Sequence, residues 1–248
     1  MSDFQGHHIQ VPSSADMAVD QGLRKFLIGV YNKLFLGLLV AAAVAYAGAS
    51  SPAFMQAMYR FEGDQFAGYT AVGWIVGLAP IGIILLSGAL MRSAMGAMLT
   101  YWLIVALVGA STAVYLALFT GPSIAVALLA ASIGFLGLSV MGYVTKRNLS
   151  GIGNLMGLAM WGLVASFILL PLLGGGLPPM VFLAMCGIGI VLTAVLIAAT
   201  TQQMKLAYYA TAGHAEMMTV ASYDAALSLF VQFVNLFRFI LMFVGVRR

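Results

Sequence analysis

In a chain of 248 residues, 62% are hydrophobic and 7% are charged, whereas a soluble domain carries nearer 25% charged residues, so a soluble fold is excluded. The formal net charge is +4, and the single cysteine, Cys186, lies inside an apolar run. That leaves no disulfide framework and no cysteine-based metal site. The length suits one compact membrane domain plus a short tail, with no room for a separate soluble enzyme.

Residues 1–22 are polar and contain Asp3, His7, His8, Asp16 and Asp20. This stretch is too long and too acidic for the basic region of a signal peptide, and Ala45-Tyr46-Ala47 imitates a cleavage site too late in the chain. It reads as an uncleaved, solvated tail preceding a membrane domain over 23–248. After Pro12 an interfacial helix is expected to lead through Arg24, Lys25 and Lys33 into the first span.

Seven candidate spans follow, each near the ~20 residues a helix needs to cross the hydrocarbon core. They cover about 34–51, 73–91, 95–119, 122–143, 153–174, 178–200 and 225–245. Loops are short, so successive spans are expected to be antiparallel neighbours in a compact bundle. Pro80 is expected to kink the second span. Trp74, Trp102 and Tyr143 sit near expected span ends, as aromatic belts do. Gly153 with Gly157, and Gly162 with Ser166, have the small-residue spacing of helix–helix contacts. Gly174 to Pro179 forms a turn. The methionines read as core filler rather than a metal-binding box.

The last apolar stretch is the least uniform. Asp224, Ser228, Gln232, Asn235 and Arg238 fall within an arc of about 120° at roughly 100° per residue. A polar face with an acid at one end and a base at the other is costly in lipid, so it must look towards protein or water. It serves either as a packing face bonded across helices or as a permeation or sensing element.

Orientation follows from Lys and Arg. With the N-terminus inside, cytoplasmic segments hold Arg24, Lys25, Lys33, Arg92, Lys146, Arg147 and Lys205. The opposite loops hold Arg60 beside Glu62 and Asp64, which is a positive-inside pattern. Arg247 and Arg248 lie outside if the last segment crosses fully, and the sequence leaves that open.

Catalytic patterns are missing. His214 is the one histidine beyond the tail, and no G-x-S-x-G, H-E-x-x-H or nucleotide-binding glycine loop occurs. His214-Ala215-Glu216 lacks the second half of a deaminase signature and reads as a solvated loop. No enzyme, cofactor, metal site or nucleic-acid partner is expected.

Three segments carry a resemblance. They are Gly142-Tyr143-Val144-Thr145-Lys146-Arg147-Asn148-Leu149-Ser150, then Thr200-Thr201-Gln202-Gln203-Met204-Lys205, then Ala226 through Phe237. Their order and spacing resemble the transmembrane Bax-inhibitor-motif family, the Bax inhibitor and its bacterial YccA-like relatives. The resemblance implies an all-α integral membrane protein of a bacterial inner membrane, with six spans around a central seventh. It implies one of two functions: a calcium or other ion leak, or a non-conducting regulator of a membrane protease of the FtsH type.

The family's pH sensor is a pair of aspartates. By resemblance those positions fall at Thr200 and Gln232, neither of which ionises, and the acid usual in the loop motif is replaced by Asn148. Arg92 corresponds to the cation that pairs with the span-six acid, and here it lacks that partner. As an ordinary residue it is a snorkelling arginine at a cytoplasmic end. The candidate pathway or sensor-equivalent residues are therefore Thr200, Gln232, Asn235, Arg238, Asp224, Ser228, Arg92 and Asn148.

Overall fold

A computed structural model describes residues 21–62, 65–172 and 178–246. The expectations for His7 and His8, for the glycine turn at 174–177 and for the terminal arginines lie outside them. The helices are α1 (Gln21–Ala49), α2 (Pro52–Met58), α3 (Ala71–Leu85), α4 (Ser87–Leu90), α5 (Ala94–Leu118), α6 (Gly121–Val144), α7 (Ser150–Leu172), α8 (Pro179–Thr211) and α9 (Ala215–Val244). Strands β1 (Tyr59–Glu62) and β2 (Gln65–Tyr69) form an antiparallel hairpin between α2 and α3.

Local chemistry sets several of these boundaries. Ser51 accepts a hydrogen bond from the Phe54 amide, with Pro52 at the first helical position, which starts α2. Thr70 caps α3 through the Gly73 amide at 3.0 Å, and Ser93 caps α5 through the Gly96 amide at 3.1 Å. Asn148 Oδ1 accepts from the Ser150 amide at 2.9 Å and from its hydroxyl at 2.6 Å, holding the turn that enters α7.

Among the described residues six helices are long and apolar enough to cross a membrane, and the chain is a multi-pass membrane protein in a lipid environment. One of the seven expected spans is not among them. The segment read as the second span is a shorter apolar helix, α3, broken at Leu86 and followed by the single turn of α4. The break falls six residues after Pro80, which itself lies inside α3. Two further expectations change. The interfacial helix and the first span are one continuous helix of 29 residues. Trp102 lies two turns inside α5, against Tyr101, rather than at its end. The hairpin, too, is an element not expected from sequence; it lies in the connection between the first two expected spans.

The direction of each helix can be traced through its contacts. Gly37 meets Tyr101, Gly109 meets Ala41 and Gly48 lies against Ala113, so α1 and α5 run the same way. Phe135 stacks on Phe233 while Ala127 packs with Leu241, so α6 opposes α9. Thr200 meets Gln232 and Gly189 meets Phe239, so α8 opposes α9 as well. Because α1 and α5 are parallel, residues 50–93 bring the chain back from the far end of the bundle to the near end, where α1 begins.

Helix α9 packs against α1, α5, α6 and α8. Its Leu229, Phe230, Leu236 and Leu241 are almost wholly inaccessible. By contrast α7 leans on α8, and α3 on α5. Close approach depends on missing side chains: a Cβ on Gly142 would lie 2.3 Å from Ala198 O, and one on Gly153 would lie 2.8 Å from Ala199 Cβ. Outward positions such as Ile75, Leu129 and Leu158 are apolar and exposed, a surface suited to hydrocarbon rather than water.

Candidate functional site

Two consecutive threonines organise the polar interior. Helical residues one apart point about 100° apart, so Thr200 and Thr201 face different neighbours of α8. Thr200 Oγ1 accepts a hydrogen bond from Gln232 Nε2 of α9 at 2.7 Å. Thr201 Oγ1 lies 3.2 Å from Ser139 Oγ of α6, which in turn is hydrogen-bonded to the Tyr31 hydroxyl of α1. Hydroxyls and one amide thus tie four helices together at one level, each group meeting a need that lipid cannot satisfy. One acceptor is left over: Gln232 Oε1 is buried with no partner.

Thr200 also borders a groove of about 390 Å³ between α7 and α8, lined by Gly153, Asn154, Gly157, Trp161 and Gln203 among others. The missing side chains of Gly153 and Gly157 open this groove. The second small-residue pair does not repeat the arrangement, because nothing lies within 4 Å of a Cβ placed on Gly162. Ser166 simply bonds back to Gly162 O at 2.9 Å.

The polar stripe of α9 divides between two interfaces. Gln232 and Arg238 stand at opposite edges of its ~120° arc. Gln232 turns to α8, whereas Arg238 Nη2 donates to Ser111 Oγ at 3.0 Å and Thr112 Oγ1 at 2.8 Å on α5. Its guanidinium also lies 5.7 Å from the centre of the Tyr115 ring. Asp224 is exposed, and Ser228 and Asn235 are half-buried. The five residues therefore do not form one continuous hydrogen-bonded file. Arg92 is exposed in the turn between α4 and α5.

The loop motif and the span-six motif meet. Gln202 Oε1 accepts from the Leu149 amide at 2.7 Å, and its Nε2 donates to Arg147 O at 2.7 Å. Lys205 Nζ donates to Tyr143 O and lies 4.3 Å from the Tyr143 ring centre. Ser139 and Tyr31 were not singled out from sequence, and Thr201, Gln202 and Lys205 entered without these partners, as members of the span-six motif and, for Lys205, as a cytoplasmic charge. The available signal was their presence as polar groups in otherwise apolar helices, which requires partners without naming them.

Among the described residues no group of three or more His, Cys, Asp or Glu side chains could hold a metal ion. What the arrangement can do is hydrogen-bond across helices and hold one fixed positive charge near the far end.

Fold and site together define a multi-pass helical membrane protein with a polar C-terminal helix bonded into its neighbours. Residues 23–248 match the family model described as "Inhibitor of apoptosis-promoting Bax1", and the chain belongs to this Bax-inhibitor family. It is 39% identical to an uncharacterized protein of Caulobacter vibrioides over 100% of both chains. It is 32% identical to a Rickettsia prowazekii protein over 95% of each. It is also 29% identical to the inner membrane protein YbhL of Escherichia coli, covering 92% of this chain and 94% of that one.

Proposed function

We propose that this chain is an inner-membrane protein of the ion-leak class whose α8–α9 contact is held by a neutral pair, so that calcium passage is weak and insensitive to pH. The observation that supports this reading is the 2.7 Å hydrogen bond from Gln232 to Thr200, at the two positions where the resemblance places acids. Two carboxylates there would share a proton and titrate. A threonine and a glutamine stay neutral at every physiological pH. Calcium takes 6–8 oxygens, usually with negative ones among them, and Gln232 Oε1 offers a single neutral acceptor.

In this reading the near end is cytoplasmic, following the Lys and Arg distribution, and α3 with α4 is the seventh crossing. Flux into liposomes carrying a calcium-sensitive dye tests the function. The wild type is expected near the protein-free baseline and flat from about pH 6 to pH 8, where paired buried carboxylates titrate. The double substitution Thr200→Asp with Gln232→Asp is expected to raise the flux and make it pH-dependent. Each unpaired charge costs about 2.5–3.5 kcal/mol at mid-membrane, so insertion of the variant is checked first. A steep pH response in the wild type would sink the reading.

A second reading, regulation of a membrane protease, is favoured by one feature. Lys205 meets the end of α6 at Tyr143, yet α8 continues to Thr211 before α9 begins. Six further residues at 1.5 Å each carry the helix pair about 9 Å beyond α6, a protruding surface on the N-terminal side. Co-purification of a protease with the full chain, lost on deleting residues 2–21, is the expected result for this reading. Recovery of the chain without any protease counts against it.

A further inference from the structure

Arg238 is a cation that nothing described in its surroundings neutralises. It lies on α9 six residues before Val244, and its partners Ser111 and Thr112 lie six to seven residues before the end of α5. Both helices therefore place it about 10 Å inside the far end. Among the described residues no carboxylate comes within 4 Å of it. Ser111 and Thr112 give their own hydrogens to Val108 O, so each meets the guanidinium as a neutral acceptor. The Nε–H is buried and has no partner.

The neighbouring phenols do not supply the missing charge. Tyr59 hands its hydroxyl hydrogen to Ala110 O at 3.2 Å. Burial pushes that hydroxyl up to about 12, against the opposing pull of nearby groups that include Arg238. Tyr69 is also pushed up, again chiefly by burial. Both are neutral at physiological pH, so among the described residues Arg238 keeps its charge uncompensated. Arg238 is half-buried, and its inaccessible, unpartnered Nε–H is the part of the guanidinium for which an acceptor is missing, a costly arrangement away from water.

Tyr59 also marks an approach. It stands between this cluster and an open groove of about 580 Å³ on the hairpin side, lined by Gln56, Arg60, Phe61 and Glu62. Among the described residues its lining carries Arg60 and Glu62, one charge of each sign.

We propose that Arg238, with Ser111, Thr112 and Tyr115 around it, binds one small monovalent anion of halide size at the far end of the α5–α9 interface. The anion accepts from the Nε–H and neutralises the guanidinium. It enters past Tyr59, from the side of the bundle where α1 ends. Phospholipid phosphate offers similar chemistry, but the hairpin that carries Tyr59 stands on the approach, which favours a free ion small enough to pass.

The test uses the purified full chain in detergent. Thermal unfolding is followed while sodium chloride or bromide replaces sodium gluconate at constant ionic strength. A saturable rise in midpoint is expected for the wild type, retained in Arg60→Gln and lost in Arg238→Gln. A rise that is absent, unsaturable or unchanged in Arg238→Gln overturns the proposal. Should Arg238→Gln fail to fold, wild-type crystals soaked in bromide decide. Anomalous density is expected within hydrogen-bonding distance of Arg238 Nε, and its absence overturns the site. In a further arm, phosphatidylglycerol is added without halide. Stabilisation by that lipid alone, and not by halide, would assign the site to lipid phosphate and overturn the free-ion proposal.

Discussion

Gln232 donates its amide hydrogen to Thr200 and keeps its carbonyl oxygen buried and unpaired. That asymmetry predicts how the pair responds to substitution. Thr200→Val removes the acceptor and strands the whole amide, at a cost of about 1–3 kcal/mol. Thr200→Val with Gln232→Leu removes both partners and the orphan oxygen, and is expected to return stability to the wild-type level or above. Unfolding in detergent of wild type, both single variants and the double variant measures the coupling. Polar pairs in membrane bundles give about 0.6–1.7 kcal/mol. Strictly additive losses would show that the two side chains act independently. The sequence pointed to Thr200 and Gln232 through the motifs around them, and to a polar stripe through its angular arc. It could not assign Gln232 to α8 and Arg238 to α5, because that depends on how α9 is rotated in the bundle. Ser139 and Tyr31 were illegible for the same reason: a lone hydroxyl in an apolar helix announces that it needs a partner, not where the partner is.

Spacing alone also misleads between helices. Gly153 and Gly162 both begin small-residue pairs on α7, yet only Gly153 has a neighbour close enough to exploit the missing side chain. Gly142, which was quoted only as part of a motif, makes the tighter approach, to the backbone of Ala198. Alanine at Gly142 must push α6 and α8 apart, since a backbone oxygen cannot swing aside, and the overpacking is expected to cost about 1–3 kcal/mol. Alanine at Gly162 meets open space and is expected to stabilise α7 by about 0.5–1 kcal/mol through helix propensity. Midpoints of unfolding for the two variants should move in opposite directions. Equal losses would mean that α7 has a neighbour at Gly162 in the membrane. The same logic explains the motif resemblance around Asn148. Asn148 starts α7 by bonding Ser150, while Gln202 and Lys205 of α8 hold the loop backbone from below. The conformation of this connection is set by contacts between two sequence segments more than 50 residues apart.

At the scale of the molecule, hydropathy found every long helix among the described residues and read as one span a segment that the structure divides. Residues 73–91 are apolar throughout, and apolarity does not reveal that α3 stops at Leu85 and α4 supplies a single separate turn. The parallel packing of α1 and α5 nevertheless requires this segment to carry the chain from one end of the bundle to the other. The hairpin at 59–69 and the α8–α9 connection at 212–214 then lie at opposite ends, and the proposed seventh crossing predicts that they face opposite sides of the bilayer. Cys186 is buried, so a membrane-impermeant maleimide should label the wild type poorly and single added cysteines cleanly. Ala67→Cys and Ala212→Cys both replace exposed residues. In intact spheroplasts Ala67→Cys is expected to react, and Ala212→Cys only after permeabilisation. The reverse pattern would keep the bundle and invert its orientation, against the Lys and Arg asymmetry. Reaction of both positions from one face would be incompatible with residues 71–90 crossing at all. It would force α1 and α5 into separate environments despite the contacts that pack Gly37 on Tyr101 and Ala41 on Gly109.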